Sequence, residues 1–123
     1  MRTCPCILVT EDEPLLALEL ETFLGENGYE VAGPYPSVAT TLEQMPTLQI
    51  ACAELDVNLR GELVLPIAER LSEAGIPFVF LTGHSQNHIP QRYRDRPFLN
   101  KPFDRTKLLN IVRRLVPKPI AAA

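Results

Sequence analysis

Short apolar runs alternate with amphipathic stretches along almost the whole of this 123-residue chain, and this alternation narrows the possible folds more than any other feature. The apolar runs are residues 6–9, 29–32, 48–55, 76–81 and 98–99. They are short and rich in β-branched and aromatic residues, which is typical of strands. Because right-handed crossovers place a helix between successive parallel strands, the pattern predicts a parallel sheet with helices on both faces. The predicted fold class is therefore α/β, with a doubly wound sheet of five strands.

The stretches between the apolar runs have helical periodicity and recognisable ends. The well-defined predicted helices occupy residues 14–28, 37–46, 66–75 and 104–116. Pro14 suits the first turn of a helix because its missing N–H needs no partner there, and Gly28 suits a left-handed cap. The connection between residues 83 and 97 is polar and contains Pro90 in its middle, so the fourth helix of the series is expected to be short or irregular.

Composition excludes several classes of protein. The length fits one domain, which we place at residues 6–116 between a lead at 1–5 and a flexible tail at 117–123, and it leaves no room for a separate output module. A net charge of -3 provides no basic field for direct contact with nucleic acid. No apolar run approaches the roughly 20 residues of a membrane span and no secretory pattern is visible, so we expect a cytoplasmic protein without membrane contact. An odd number of cysteines, three, favours reduced structural thiols.

Polar residues follow the predicted strands at the edge where doubly wound sheets bind ligands. These residues are Glu11, Asp12, Asp56, Thr82 and Lys101. Three carboxylates in one crevice repel one another unless a cation neutralises them, and ligands that are all oxygen favour magnesium. Asp56 ends the central strand, and an aspartate there can act as the nucleophile that forms an acyl phosphate. Lys101 then supplies a positive charge for the phosphoryl oxygens and Thr82 a hydrogen-bond donor.

Each of these residues also has a purely structural interpretation. Glu11 and Asp12, with Glu13, can form a solvated loop that caps the first helix. Asp56, which precedes Asn58 in the sequence, can be a turn residue. The combination favours the functional interpretation, because all of the features fall at the ends of predicted strands.

The same residues resemble a known family. The motifs are Ile-Leu-Val-Thr-Glu-Asp-Glu-Pro at 7–14, Leu-Asp-Val-Asn-Leu at 55–59, Phe-Leu-Thr-Gly at 80–83 and Lys-Pro-Phe at 101–103. With this spacing, the chain resembles the receiver domain of bacterial two-component response regulators over residues 6–116. The resemblance implies a flavodoxin-like strand order, 2-1-3-4-5.

The resemblance also implies a role for each site residue. Asp56 would accept a phosphoryl group from a sensor histidine kinase or a phosphotransfer protein. Asp12 would bind magnesium directly and Glu11 through water, with Asp56 and the Asn58 backbone carbonyl as further ligands. The contacts to the phosphoryl group would come from Thr82 and Lys101, and the Lys101–Pro102 peptide bond is expected to be cis.

The family couples phosphorylation to a threonine and an aromatic residue, which here are Thr82 and Phe98. Phenylalanine has no hydroxyl, so a hydrogen-bonded outward state of this switch is not available. The segment at 77–83 also resembles a subgroup of stand-alone receivers with a PFxFATG-like signature and an atypical fourth helix region. Leu81 stands where that signature has alanine, and its greater bulk beside Thr82 is expected to affect threonine movement or loop packing.

Two other residues near the site are unusual or ambiguous. Glu54 precedes Asp56 by two residues on a strand that is expected to be buried, so it needs either a partner, for which a cation in the crevice is a candidate, or a raised pKa. His84 can flank the site or be an exposed loop residue, and we favour the loop.

Three functions remain to be separated. The first is a stand-alone phosphoacceptor that catalyses only its own phosphorylation and slow dephosphorylation, and signals through phosphorylation-dependent binding of an unknown downstream protein. The second is a receiver-like binding module that works without phosphorylation. The third is an aspartyl-phosphate phosphatase, which ranks last because Asn58 stands where that chemistry needs a general acid.

Overall fold

The computed structural model describes residues 4–83 and 89–116. The strands in this part of the chain are β1 (Cys6–Thr10), β2 (Glu30–Tyr35), β3 (Cys52–Asp56), β4 (Asn58–Leu59), β5 (Glu62–Leu63), β6 (Phe78–Thr82) and β7 (Phe98–Asn100). The α-helices are α1 (Pro14–Glu26), α2 (Val38–Gln44), α3 (Leu65–Glu73) and α4 (Arg105–Leu115). None of these helices is long and apolar enough to cross a membrane.

The main sheet has five parallel strands in the order β2-β1-β3-β6-β7. Numbered along the chain within this sheet alone, this order is 2-1-3-4-5, so the predicted doubly wound topology is confirmed. The strands β1, β3 and β6 lie in the middle of the sheet and are almost wholly buried. Their carboxyl ends all point to one edge, which is where a fold of this kind builds its ligand site.

Each face of the sheet carries its own apolar core. On one face, Leu8, Leu55 and Phe80 belong to a cluster completed by residues of α2 and α3. On the other face, Val9, Cys52 and Leu81 belong to a second cluster, completed by residues of α1 and α4. Successive strand residues alternate between the two clusters, and both faces of the central strands are apolar because both are covered by helices.

Several predicted helix ends match the structure. Ser37 is the N-cap of α2, and its Oγ accepts a hydrogen bond from the Thr40 N–H at 3.2 Å. Asp104 caps α4 in the same way through the Thr106 N–H, at 2.8 Å. Gly28, just after α1, has a φ of 92°, in the left-handed region where glycine is favoured.

The predicted start of the fourth strand was two residues too early, since β6 begins at Phe78, and the bounds of two other strands were wrong by more. Residues 48–51 lie outside β3, because β1 begins at Cys6: the first pair is Ile7 with Cys52, and before it Ala51 donates its N–H to the Cys6 carbonyl at 2.8 Å. The second strand does not end at residue 32 but continues to Tyr35, which pairs with Thr10 after an irregularity in the ladder. Both differences come from pairing between distant strands, which local apolar patterns do not encode.

The connection predicted to contain an irregular fourth helix is described only from Ile89 onward. In that part, a short 3₁₀ turn covers Gln91–Tyr93. Tyr93 is buried against Phe78, with ring centroids 5.9 Å apart. This aromatic contact fastens an otherwise polar connection to the core. His84 lies outside the described residues.

The cysteines are all free thiols. Cys4 is exposed, Cys6 is half-buried and Cys52 is buried. Burial raises the pKa of Cys52 to about 12, and the nearby Glu54 adds to this effect. The Cys52 thiol therefore remains protonated and serves as a small apolar core residue.

The irregularity in β2 depends on Gly33, which has a φ of 98°. A Cβ atom on this residue would lie 2.6 Å from the Tyr35 nitrogen and 2.8 Å from the Val9 carbonyl oxygen. Both are backbone atoms of paired strands and have little room to move.

We therefore expect Gly33→Ala to lower the free energy of unfolding by about 1–3 kcal/mol, from the strained φ and the backbone clash. Equilibrium urea unfolding measures this change. The matched control is Gly25→Ala in α1, where a Cβ meets nothing within 4 Å. It is expected to stabilise the protein by about 0.5–1 kcal/mol. Equal stabilities of the two variants would contradict this account of β2.

Candidate functional site

The predicted site residues lie at the carboxyl edge of the main sheet. Glu11 and Asp12 follow β1, Asp56 ends β3, and Thr82 ends β6. Asp56 pairs with Leu81 across the sheet, which places Thr82 one residue beyond that pair. Lys101 follows β7, and its N–H donates to the Thr82 carbonyl at 2.8 Å. Residues that are far apart in the sequence thus meet at one edge.

A lysine bridge joins two of the carboxylates. The Lys101 Nζ lies 2.9 Å from Glu11 Oε1 and 3.0 Å from Asp56 Oδ2. The Glu11 side chain is fully buried, while the Asp56 and Lys101 side chains are 8% and 22% exposed. One cation therefore balances two carboxylates in a site largely shielded from water, where their repulsion would otherwise be strong.

The surroundings change the proton affinities of these groups. Burial raises the pKa of Asp56 to about 6; the Lys101 hydrogen bond opposes this rise and the Glu11 charge adds to it. Burial alone would lower the pKa of Lys101, but its hydrogen bonds to Glu11 and Asp56 outweigh that effect and raise it. At neutral pH, Asp56 is therefore mostly ionised and Lys101 is protonated.

The two adjacent acids are held in different ways. Glu11 points inward: its Oε2 accepts from the Glu13 N–H at 3.1 Å, and its own N–H donates to the Tyr35 carbonyl at 3.0 Å. Asp12 is half-buried, and its Oδ2 accepts from the Arg60 N–H at 2.9 Å. Glu13 precedes α1 without a side-chain capping bond. The solvated-loop interpretation therefore does not hold for Glu11.

Three carboxylates have the geometry of a cation site. Glu11, Asp12 and Asp56 each offer one oxygen, and the three oxygens lie within 4.8 Å of one another. A set of oxygen donors with this net negative charge suits a hard divalent cation such as magnesium. The residues present therefore fit the predicted metal.

A β-hairpin beside the site was not predicted. It is formed by β4 and β5, with Arg60 and Gly61 at its tip, and both tip residues have positive φ, 51° and 85°. Such turns favour Asn-Gly or Asp-Gly, and the glycine at the second position was the signal available in the sequence. Arginine is uncommon at the first position of such a turn, so the Arg60-Gly61 pair did not indicate a hairpin in the sequence. The hairpin places the Arg60 N–H against Asp12.

The hairpin also fixes Asn58. Its side-chain Oδ1 accepts from the Gly61 N–H at 2.9 Å and so belongs to the turn. The Val64 N–H donates to the Val57 carbonyl at 2.9 Å. Since bonding alternates along an antiparallel ladder, the Asn58 carbonyl points away from β5. That carbonyl, and not the side chain, is the group left to serve as a ligand.

Within the part of the chain that the structure describes, Glu54 makes no hydrogen bond or ion pair through its side chain, so of the two alternatives, a partner or a raised pKa, the raised pKa is the one found. This side chain is wholly buried in β3, and neither carboxylate oxygen has a hydrogen-bond partner among residues 4–83 and 89–116. Burial, with the charges of Glu11 and Asp56, raises its pKa well above the usual range, although Lys101 acts in the opposite direction. This environment strongly favours the neutral, protonated acid.

Three further residues named from the sequence lie as follows. Phe98 is the first residue of β7, pairs with Phe80, and is 36% exposed at the edge of the sheet. Leu81 is fully buried in the core shared with α1 and α4. The Lys101–Pro102 peptide bond is cis, as the resemblance implied.

Comparisons with known proteins agree with this geometry. The family model for the response regulator receiver domain matches residues 7–113. Transcriptional regulatory protein PdtaR of Mycobacterium tuberculosis is 30% identical over 107 residues, which cover 84% of this chain and 52% of PdtaR. DltR of Streptococcus agalactiae is 30% identical over 112 residues, which cover 87% of this chain and 50% of DltR. The chain thus spans about half the length of these curated relatives.

Solved structures give a similar result. The solution structure of SdrG from Sphingomonas melonis Fr1 is 42% identical, with a TM-score of 0.80, over 94% of this chain and 98% of that one. A BeF3-activated conformation of SdrG, from Pseudomonas melonis Fr1, has a TM-score of 0.73 at 42% identity, over 91% of this chain and 98% of that one.

Proposed function

The chain belongs to the response regulator receiver domain family, and from that premise we propose that it accepts a phosphoryl group on Asp56 from a histidine kinase or a phosphotransfer protein. The observation that carries the proposal is the Lys101 bridge, in which Nζ lies 3.0 Å from Asp56 Oδ2 and 2.9 Å from Glu11 Oε1. A protonated amine beside an ionised carboxylate, at the edge of the sheet where folds of this kind bind ligands, supports this proposal.

The transfer forms one bond and breaks another. An Asp56 carboxylate oxygen attacks the phosphorus, and an acyl phosphate forms as the bond from phosphorus to the donor's imidazole nitrogen breaks. The electron pair of that bond stays on the imidazole. Since burial raises the Asp56 pKa only to about 6, the nucleophile remains available at neutral pH.

Neighbouring groups stabilise the charge that develops on the phosphoryl oxygens. Lys101 lies close enough to Asp56 to contact a phosphoryl group bound there. Thr82, at the end of β6, would donate a hydrogen bond to a phosphoryl oxygen. Glu11, Asp12, Asp56 and the Asn58 carbonyl are the groups that would hold magnesium, which supplies further positive charge to the phosphoryl oxygens when bound.

We further propose that the chain acts in the cytoplasm as a stand-alone receiver, and that phosphorylation changes its affinity for a downstream protein through Thr82 and Phe98. The similarity to SdrG, which this chain covers over 98% of its length and which has a BeF3-activated conformation, supports this. The exposure of Phe98 places an aromatic side chain where a partner can contact it.

The direct test is incubation with magnesium and acetyl phosphate, a small phosphodonor, followed by intact mass measurement. We expect one added phosphoryl group on the wild-type protein and none when magnesium is chelated or when Asp56 is replaced by alanine. The matched control is Asp95→Ala, since Asp95 is an exposed aspartate outside the site. An unmodified wild-type protein, or a phosphorylated Asp56→Ala variant, would contradict the proposal.

The exposed side of α1 is suited to bind the phosphohistidine donor. Leu15 and Leu18 are 74% and 59% exposed, which is unusual for two leucines on one helix. Leu15 lines a cavity of about 660 Å³ that also reaches Phe103 and Lys101. The cavity thus runs from the exposed side of α1 to Lys101, and apolar and charged side chains both line it.

We expect Leu15→Gln with Leu18→Gln to slow transfer from a phosphohistidine protein by about tenfold or more, because docking loses two apolar contacts. Phosphorylation by acetyl phosphate should not change, since that donor needs no protein surface. The donor is whichever purified histidine kinase phosphorylates the wild type. The control is Leu63→Gln, an exposed leucine of β5. Equal losses with both donors would show damage to the site itself.

A further inference from the structure

We propose that Thr10 is a positioning residue for the phosphoacceptor: its hydroxyl fixes the main chain of Asp56 so that the Asp56 carboxylate stays against Lys101. This inference rests on the proposed function and adds a residue to it. Thr10 does not contact the incoming phosphoryl group in this account, and it acts only through Asp56.

The contact that carries the inference is a buried hydrogen bond between two strands. Thr10 Oγ1 accepts from the Asp56 backbone N–H at 3.1 Å, across a separation of 46 residues. Thr10 is wholly buried, and Asp56 is 6% exposed. Water therefore has little access to replace this bond.

Burying the Thr10 hydroxyl in β1 costs desolvation free energy unless the hydroxyl forms a hydrogen bond. The preceding β1 residues Ile7, Leu8 and Val9 are all buried and apolar. Valine has nearly the same shape as threonine and would fill this core position without desolvating a hydroxyl. What distinguishes threonine here is the bond to Asp56.

The bond lies where the strand pairing ends. The last pair between β1 and β3 is Thr10 with Leu55, and in this parallel ladder the amide that follows Leu55 faces the partner strand, so the Asp56 N–H is turned toward Thr10. On its other side, Asp56 still pairs with Leu81 of β6. In that pair the backbone bond to Leu81 comes from the Val57 N–H, at 2.9 Å. The Asp56 N–H instead faces β1, where the Thr10 hydroxyl accepts its hydrogen bond.

The same strand end also carries the partner of Lys101. Thr10 is followed by Glu11, whose Oε1 holds the Lys101 Nζ at 2.9 Å, and Nζ in turn lies 3.0 Å from Asp56 Oδ2. The bond from the Asp56 N–H to the Thr10 hydroxyl completes a closed loop of contacts that joins Thr10, Glu11, Lys101 and Asp56. A shift of the Asp56 main chain would move the nucleophile relative to the lysine, and small misplacements of reacting groups cost rate.

The test compares Thr10→Val, Thr10→Ala and Thr10→Ser in the full chain, with acetyl phosphate at saturating magnesium. We expect the first two variants to lower the maximal phosphorylation rate by about tenfold, as expected for a misplaced nucleophile. Thr10→Ser keeps the hydroxyl and is expected to stay within about twofold of the wild type. Rescue by serine separates positioning from side-chain volume.

A matched control separates positioning from stability. Thr41 is also wholly buried, and its Oγ1 donates to the Ser37 carbonyl at 2.8 Å in α2, away from the site. Thr41→Val is expected to lower the urea midpoint without changing the phosphorylation rate of the folded protein. A Thr10→Val rate equal to the wild type, or an equal loss in Thr41→Val, would overturn the inference.

The two proposals fail in different ways. If the wild-type protein gains no phosphoryl group, or gains it on another residue, the proposed function fails. If the wild type is phosphorylated on Asp56 and Thr10→Val matches its rate, only the role of Thr10 fails.

Discussion

Replacing Lys101 with methionine is expected to reduce the phosphorylation rate with acetyl phosphate by about a hundredfold or more. Methionine keeps most of the length and volume of lysine and removes the ammonium group, which lies within 3.0 Å of both Glu11 and Asp56 in the wild type. The variant loses the positive charge that stabilises the phosphoryl oxygens.

The loss of Lys101 also changes the pH dependence. Burial raises the pKa of Asp56 to about 6, and the Lys101 hydrogen bond limits this rise. Without the lysine, no ammonium group offsets the repulsion between the Asp56 and Glu11 carboxylates. The Asp56 pKa therefore rises further, and the ionised form of Asp56 appears only at higher pH. Any residual phosphorylation activity of the variant should therefore have its midpoint at a higher pH than that of the wild type.

Phosphorylation rates measured from about pH 5 to 8 check both effects, after urea unfolding has shown that the variant is folded. The control is Lys107→Met, since Lys107 is an exposed lysine of α4. A Lys101→Met rate within about threefold of the wild type would contradict the assigned role, because loss of a preorganised charge costs far more.

Replacing Glu54 with valine is expected to raise the free energy of unfolding by about 1–3 kcal/mol at pH 8. The wild-type side chain is wholly buried, and none of the described residues forms a hydrogen bond with either of its carboxylate oxygens. Valine has a similar volume, favours strands and matches the apolar neighbours of β3.

The sign of the pH effect follows from proton binding. Glu54 has a pKa well above its usual 4.5 in the folded protein, so above about pH 4.5 the folded state keeps a proton that the unfolded chain releases. The stability contributed by this group is complete below that pH and is lost as the pH rises toward the folded pKa. The slope reaches about 1.4 kcal/mol per pH unit for one group, and Glu54→Val removes it.

Urea unfolding in EDTA between about pH 5 and 8 measures this difference. Asp56 contributes a pH dependence of stability with the same sign between pH 3.8 and about 6. Because the wild type and Glu54→Val both contain Asp56, the difference between them reports Glu54 most directly above about pH 6. Glu43→Gln, at an exposed glutamate of α2, should leave the slope unchanged. A destabilised Glu54→Val variant would show that the carboxyl group has a partner that the fold requires.

Much of the site was predictable because parallel strands end at a common edge. Once the apolar runs were interpreted as strands, their polar ends had to meet, and this brought Glu11, Asp12, Asp56 and Lys101 together. The strand order followed from the resemblance and is the order found. Local patterns and topology were sufficient for these features.

The rest depends on contacts between distant segments. The extension of β2 to Tyr35 follows from pairing with Thr10, and the Arg60–Gly61 turn joins the site through a backbone N–H. Thr10 appeared as one more residue of an apolar strand, since a sequence does not show which amide its hydroxyl will meet. For Glu54 a cation was a candidate partner, but Lys101, whose charge acts on Glu54, is already held by Glu11 and Asp56.

The most direct measurement of the central claim locates the phosphoryl group on the chain. The protein is phosphorylated with acetyl phosphate and magnesium, the acyl phosphate is reduced with borohydride, and the digested peptides are sequenced by mass spectrometry. Reduction converts an aspartyl phosphate into homoserine, and we predict homoserine at position 56 in place of Asp56. Homoserine at Asp12 or another acidic residue, or its absence from a protein treated with magnesium and donor, would contradict the account.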